Sequence, residues 1–234
     1  MDDLDVPRLA EYLHITPDQV NKMATRGQIP GRRVGGQWRF SEAEIHHWLE
    51  DRIGASEGEE LDKVQRVIDR ATDASQDRRI SELCNVDSIR VPLNARTRGS
   101  VIRTMCQAAA ATGMMWDAQA MSEAVASREQ LHPTALDNGV ALLHPRRPQT
   151  SILSDSVIAL GICPSPLPFS DSGQLTDVFF LICSYDDAIH LRTLARLSRL
   201  VGDEELLAEL RACETAGQAW QVLHDGEAKH FGDD

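Results

Sequence analysis

The sequence predicts an α+β protein of two domains: a small helical unit with one hairpin, then a larger mixed β-sheet flanked by helices. Three observations carry this reading. Residues 4–53 alternate helix-start signals with a single Gly-Gly hairpin. A polar stretch that opens Gly54-Ala-Ser-Glu-Gly-Glu-Glu60 then separates this unit from the rest. Beyond residue 80, short apolar runs of strand length mix with helical repeats, without strict βα alternation.

In the first unit, Leu4, Leu9, Ala10 and Leu13 fall at helical spacing, and Pro7 is tolerated in a first turn. Thr16-Pro17-Asp18 reads as a cap, a first-turn proline and a first-turn acid, with Val20 and Met23 on the apolar side. Gly27 ends that short helix. Arg32 through Phe40 reads as a hairpin with Gly35-Gly36 at its tip. Ser41, three residues before Glu44, predicts a capping box for a third helix with an apolar stripe of Ile45, Trp48 and Leu49. The linker spans 54–80 and is partly helical, because Leu61, Val64, Val67, Ile68 and Ala71 share one face. That face is a candidate seam for a homodimer.

In the second domain, residues 89–93 predict a short strand, and 98–112 and 117–127 two helices. Val140–Leu143 is long enough for a buried strand, and 157–162 for another, followed by a Pro/Ser/Gly loop to Leu175. Residues 177–183 are the most apolar run and should be central. Asp186 or Asp187 caps a long helix to Val201, two short helices close the domain near Leu223, and 225–234 form a polar tail.

Composition excludes several classes. At 42% hydrophobic residues, 234 positions can bury a core, yet no run approaches 18 uninterrupted apolar residues, so no membrane partner is expected. The acidic opening Met1-Asp-Asp-Leu-Asp5 is unlike a signal peptide, so the protein is expected in the cytoplasm. A net charge of −12 argues against a chain that coats nucleic acid everywhere but allows a local basic patch. Five cysteines without C-x-x-C spacing read as reduced thiols, three of them (Cys106, Cys163, Cys183) in the core. No metal and no cofactor are expected.

Chemistry concentrates in Asp137-Asn-Gly-Val-Ala-Leu-Leu-His144-Pro-Arg-Arg-Pro148. A turn signal leads into the apolar run, His144 stands at its exit, and proline stops further regular structure. Arg146 and Arg147 make the surroundings suit an anion. Neutral imidazole is a competent nucleophile near pH 7, so the segment fits a histidine that accepts a phosphoryl group. A surface histidine with two solvated arginines is the plainer alternative.

Two resemblances sharpen this. Leu13-His-Ile-Thr16, Val20, Arg26-Gly-Gln-Ile-Pro30, Gly36-Gln-Trp-Arg-Phe40 and Trp48-Leu49 resemble the winged helix-turn-helix of excisionase and MerR-type DNA-binding domains. The resemblance implies a second helix in the major groove and a wing on the backbone. Candidate DNA contacts are Asn21 and Lys22 on that helix, with Arg26, Arg32, Arg33 and Arg39 in a segment, 25–40, that contains no acid. Recruitment of protein instead of DNA is the rival for this unit.

Residues 81–224 resemble the IIA domain of the fructose/mannitol class of the phosphotransferase system, especially its nitrogen-regulatory form. The motifs are Ser127-Arg-Glu-Gln130, Asn138-Gly-Val-Ala-Leu-Leu-His144, Asp177-Val-Phe-Phe-Leu-Ile-Cys183 and His190-Leu-Arg-Thr-Leu-Ala-Arg-Leu197. The resemblance implies that His144 takes a phosphoryl group from a phosphohistidine carrier protein (HPr/NPr-like), with His190 and Arg128 at the same site. Arg146 is a further phosphate-binding candidate. Two departures stand out. Leu143 replaces the proline common before the active histidine, which is expected to alter the ring's orientation. The usual glycine-rich loop here reads Leu131-His-Pro-Thr-Ala-Leu-Asp137, with His132 as a spare histidine. The expected function is a regulator whose phosphorylation state modulates DNA binding. The alternatives are a phosphocarrier serving a sugar-permease subunit and a non-phosphorylated interaction module.

Overall fold

The computed structural model describes residues 3–13, 15–41, 44–45, 48–49, 78–170 and 173–232. The chain divides into two compact units, 1–77 and 78–234. The expected linker helix lies outside the described residues.

The first unit opens differently from the expectation. Leu4 does not start a helix: Asp3–Leu4 form strand β1, with Leu4 opposite Phe40. Helix α1 (Val6–Tyr12) is started by Asp5, whose side chain accepts from the Arg8 N–H at 2.9 Å. An aspartate cap two residues before a proline is a stronger start signal than one leucine at helical spacing. Helix α2 (Pro17–Thr25) begins in a capping box, where Gln19 N–H donates to Thr16 Oγ1 and Thr16 N–H donates to Gln19 Oε1. Strands β2 (Arg32–Val34) and β3 (Gln37–Ser41) meet at Gly35 and Gly36, with φ of 59° and 80°. A two-residue hairpin with both central residues at positive φ matches the twist of its strands, and glycine accepts that conformation without strain. The sheet order is β1-β3-β2. Leu9, Leu13, Val20, Ile29, Phe40, Ile45 and Leu49 are buried, and the Trp48 indole donates to the Gln28 carbonyl at 2.8 Å.

The second unit is built on a four-stranded mixed sheet of order β4-β6-β7-β5. Its elements are α3 (Ile80–Leu83), β4 (Ile89–Arg90), α4 (Arg98–Ala110), α5 (Ala118–Glu129), β5 (Val140–Leu143), β6 (Val157–Pro168), β7 (Leu175–Cys183), α6 (Asp187–Leu200), α7 (Glu204–Ala212) and α8 (Ala216–Phe231). Strand β7 runs antiparallel to β6 and parallel to β5, and β4 runs parallel to β6. One sheet face, with Ala141, Leu143, Phe179 and Leu181, packs with Val101, Met105, Met121 and Val125 of α4 and α5. Alternation sends Leu142, Val178 and Phe180 to the other face, where they are equally buried. Helix α6 packs against β7, and α8 against β4.

Several boundaries differ from the sequence reading. The linker does not reach residue 80, because Ile80 already starts α3. Strand β4 pairs only Ile89 and Arg90 before Pro92, which has no N–H to give. Residues 163–168 are strand, although Pro164, Pro166 and Pro168 suggested a loop. Past a register shift between Ile162 and Leu167, that stretch is paired with β7 alone, so the missing proline N–H groups disrupt no second ladder. The tail from residue 225 is corrected most: α8 continues to Phe231. Glu227 is buried in it, Lys229 pairs with Glu205, His230 bonds Asp203, and the guanidinium groups of Arg196 and Arg199 lie over the Phe231 ring. Cys84 joins the core thiols, its pKa pushed up to about 12 by burial.

Candidate functional site

His144 follows the last residue of β5 directly, and β5 is held on one side by the parallel ladder to β7. Leu143, in the position where proline was expected, is fully buried opposite Leu181. The backbone under His144 is therefore fixed by core packing. His190 sits in the first turn of α6, whose cap is Asp186; the Asp186 side chain accepts from Ile189 N–H at 2.8 Å. The two rings meet with centroids 4.9 Å apart, inclined by 53°, and both residues are buried, at 3% and 5% exposure. Enclosure of this kind limits the access of water to the two rings.

The ring of His144 has a defined tautomer. Its Nδ1 lies 2.8 Å from the Leu142 carbonyl oxygen. A carbonyl only accepts, so Nδ1 carries the proton and donates. The neutral ring then has its lone pair on Nε2, the nitrogen able to attack an electrophile.

Arg128, in the last turn of α5, is buried, and its Nη1 donates to the His132 carbonyl at 2.7 Å. It anchors the loop that precedes β5. His132 itself is exposed, with Nδ1 3.0 Å from the Pro133 carbonyl oxygen. Arg146 is exposed on the loop two residues past His144. The structure thus joins His144 with His190, sets Arg128 on the loop, and leaves Arg146 at the surface. Among the described residues no group of three or more His, Cys, Asp or Glu side chains could hold a metal ion.

Two residues at this end of the sheet were given no role of their own in the sequence reading. Glu129 is 2% exposed, and its carboxylate takes the Thr134 hydroxyl at 2.5 Å and the Thr134 N–H at 3.3 Å from each oxygen. Burial pushes the Glu129 carboxyl above its ordinary range, opposed by those Thr134 bonds and by the charges of Arg128 and Arg98. A signal existed: an acid in the last turn of a helix faces the negative end of the dipole, so it needs a compensating partner.

The turn before β5 is equally well held. Gly139 adopts φ of 86°, and its carbonyl accepts from both Asp177 N–H and Val178 N–H. Arg211 of α7 forms a two-pronged pair with Asp177, 2.9 Å at each contact, and also donates to the Asn138 carbonyl at 2.8 Å.

In the first unit, Asn21, Lys22 and Arg26 are exposed on α2 and its C-terminal end. Arg33 is exposed on β2, its guanidinium 5.0 Å from the centroid of the Trp38 ring. Arg39 is half-buried. Arg32 pairs with Asp3 at 2.6 Å, because β1 and β2 flank the same strand. The segment that lacks acids in sequence therefore gains one in space.

The family model described as "Phosphoenolpyruvate-dependent sugar phosphotransferase system, EIIA 2" matches residues 82–226, and the one described as "Helix-turn-helix domain" matches residues 4–53. The chain belongs to the phosphotransferase-system EIIA type-2 family. A nitrogen regulatory protein of Bradyrhizobium diazoefficiens is 30% identical over 148 residues, covering 62% of this chain and 94% of that protein. The fructose-specific EIIABC component of Bacillus subtilis is 28% identical over 149 residues, covering 62% of this chain but only 23% of that larger protein. Among solved structures, the nitrogen regulatory protein IIA-Ntr from Neisseria meningitidis superposes with a TM-score of 0.54 at 18% identity, over 62% of this chain and 98% of that one. The mannitol IIA of Escherichia coli gives 0.53 at 17% identity, over 59% and 97%. At these identities the two structures share the fold. Among the described residues, no helix is long and apolar enough to cross a membrane.

Proposed function

We propose that the second unit accepts a phosphoryl group on His144 Nε2 from a phosphohistidine carrier protein, and that the acquired charge modulates DNA binding by the first unit. The observation that carries this is the buried His144–His190 pair, with the His144 proton committed to Leu142 on the far nitrogen. In the transfer, the P–N bond of the carrier breaks as the Nε2–P bond forms, and the departing carrier imidazole keeps the electron pair of the broken bond. Nδ1 keeps its proton on the Leu142 carbonyl. The transition state spreads charge over three phosphoryl oxygens, so positioning and nearby positive potential are what the protein supplies. His190 in the first turn of α6 brings a ring donor and the positive end of a helix. Because the phosphoryl group arrives on a neutral ring that keeps its Nδ1 proton, the site gains about one negative charge, enough to change docking of a neighbouring surface.

The test is incubation of the protein with a phosphorylated carrier and its upstream kinase. Wild type is expected to acquire acid-labile, alkali-stable phosphate, and His144→Ala none. No label on wild type, in a tube where a known IIA domain is labelled, defeats the reading and leaves a non-phosphorylated interaction module.

For the first unit, the exposed Arg33 beside the wing aromatic supports contact with the phosphate backbone. In the full chain, Arg33→Ala is expected to weaken DNA binding across sequences and to reduce the salt slope of log K by about 1. An affinity for DNA that ignores salt would favour recruitment of a protein instead.

A further inference from the structure

Residues 134–136 run antiparallel beside β5 and cover its open edge. Ala135 faces Ala141, flanked by a bond from Leu142 N–H to the Thr134 carbonyl (3.3 Å) and one from Leu136 N–H to the Val140 carbonyl (2.7 Å). Ala135 and Ala141 are therefore a non-hydrogen-bonded pair, and Thr134 and Leu142 occupy the next, hydrogen-bonded position. At such a position two residues exchange both of their bonds. Only one is made here. The Thr134 N–H turns to Glu129 instead, and the Leu142 carbonyl accepts from His144 Nδ1 at 2.8 Å. The Thr134 hydroxyl holds the same carboxylate, which is almost fully buried.

We infer that Glu129 is a positioning residue for the phosphoryl acceptor: by taking the Thr134 amide, it holds the ladder open at Leu142 and reserves that carbonyl for the His144 Nδ1 proton. This rests on the reading of His144 as the acceptor. The consequence is chemical. With Nδ1 protonated, Nε2 offers its lone pair. With the proton on Nε2, that nitrogen cannot form the P–N bond. Without Glu129, the half-buried Thr134 amide needs another acceptor, and the nearest one the ladder geometry provides is the Leu142 carbonyl. Competition there frees the His144 ring to take up its other tautomer.

The experiment uses the full chain labelled with nitrogen-15, at a pH where the ring is neutral. Long-range proton–nitrogen correlation identifies the His144 ring, assigned by its loss in His144→Ala. Wild type is expected to show a protonated Nδ1 and an unprotonated Nε2. Glu129→Ala is expected to give a mixture of tautomers or the reverse one. Glu129→Gln, which keeps an acceptor oxygen, restores the wild-type pattern. In parallel, Glu129→Ala lowers the maximal rate of phosphoryl acceptance on the order of tenfold with the carrier KM unchanged. A folded Glu129→Ala with a wild-type ring spectrum overturns the inference, since a merely structural role predicts that result. If Glu129→Ala does not fold, Glu129→Met, which fills the space but offers no acceptor oxygen to the Thr134 amide, is expected to give the same tautomer shift; a folded Glu129→Met with a wild-type ring spectrum is equally fatal. A wild type that takes no phosphate defeats the acceptor reading alone, because the ring spectrum still reports what Glu129 does.

Discussion

Glu227→Ala is expected to lower the stability of the second unit by about 3–5 kcal/mol, through two buried amides left without acceptors. Glu227 lies near the end of α8 and is 2% exposed. One carboxylate oxygen accepts the Ile80 N–H at 2.6 Å; the other accepts the Ser81 N–H at 3.0 Å and the Ser81 hydroxyl at 2.8 Å. Those amides open α3, where a helix has no intrahelical partners for its first N–H groups. The carboxylate thus caps a helix almost 150 residues earlier in the chain. Trp220 reinforces the contact, its indole donating to the Ser81 carbonyl at 3.1 Å. Urea unfolding followed by circular dichroism should show the transition of the second unit shifted and that of the first unchanged. Glu227→Gln should fall between, because it retains one acceptor oxygen but sets an amide donor against other donors. An unchanged midpoint in Glu227→Ala would mean that water or another side chain replaces the cap.

Gly139→Ala is the second large effect expected, about 2–4 kcal/mol, from backbone strain together with disruption of a partly exposed ion pair. At φ of 86° a side chain is strained whatever the space around it, and here space is also lacking. A Cβ would stand 2.7 Å from Arg211 Nη2, 3.2 Å from Asp177 Oδ1 and 3.4 Å from the Leu175 carbonyl oxygen. Arg211 can swing away, but only by giving up Asp177 and the Asn138 carbonyl. The double variant Gly139→Ala/Arg211→Ala should therefore cost less than the sum of the two single ones, because the arginine half of the clash is already gone. Strict additivity in thermal unfolding would place the whole cost in the backbone. Since Gly139 leads directly into β5, phosphate acceptance at His144 should fall with it.

Local signals carried much of this architecture. Thr16-Pro17, the Gly35-Gly36 pair and the apolar runs before His144 and Tyr185 each combine a start or stop residue with the correct period, and each stands where expected. The misses share a cause: the deciding interaction lies far away in sequence. Nothing near Leu4 announces that Phe40 will pair with it. The three prolines of 164–168 look like a loop until β7 is known to be the strand beside them. Asp225 through Phe231 reads as a polar tail because its partners are residues such as Ile80, Asp203 and Arg196.

The site divides along the same line. His144 was singled out by the apolar run that ends at it, whereas His190 entered through the family resemblance, and the structure brings the two rings to a centroid distance of 4.9 Å. Arg128 was legible as a position but not in its bond, since contact with the His132 carbonyl depends on the path of a loop. Glu129 and Thr134 escaped notice because their importance lies in an omitted ladder bond, which no residue pattern encodes. Arg32 showed the reverse case: a basic side chain in an acid-free segment meets Asp3 once the strands assemble.

The bond between Glu227 and Ile80 has a topological consequence as well. It brings the first helix of the second unit within hydrogen-bond reach of the last, so the first and last elements of the unit lie side by side. A module with adjoining ends can be spliced into a longer polypeptide, or cut and rejoined in a new order, without stretching its fold. Such a module suits reuse behind different partners in one chain, a helix-turn-helix in this case.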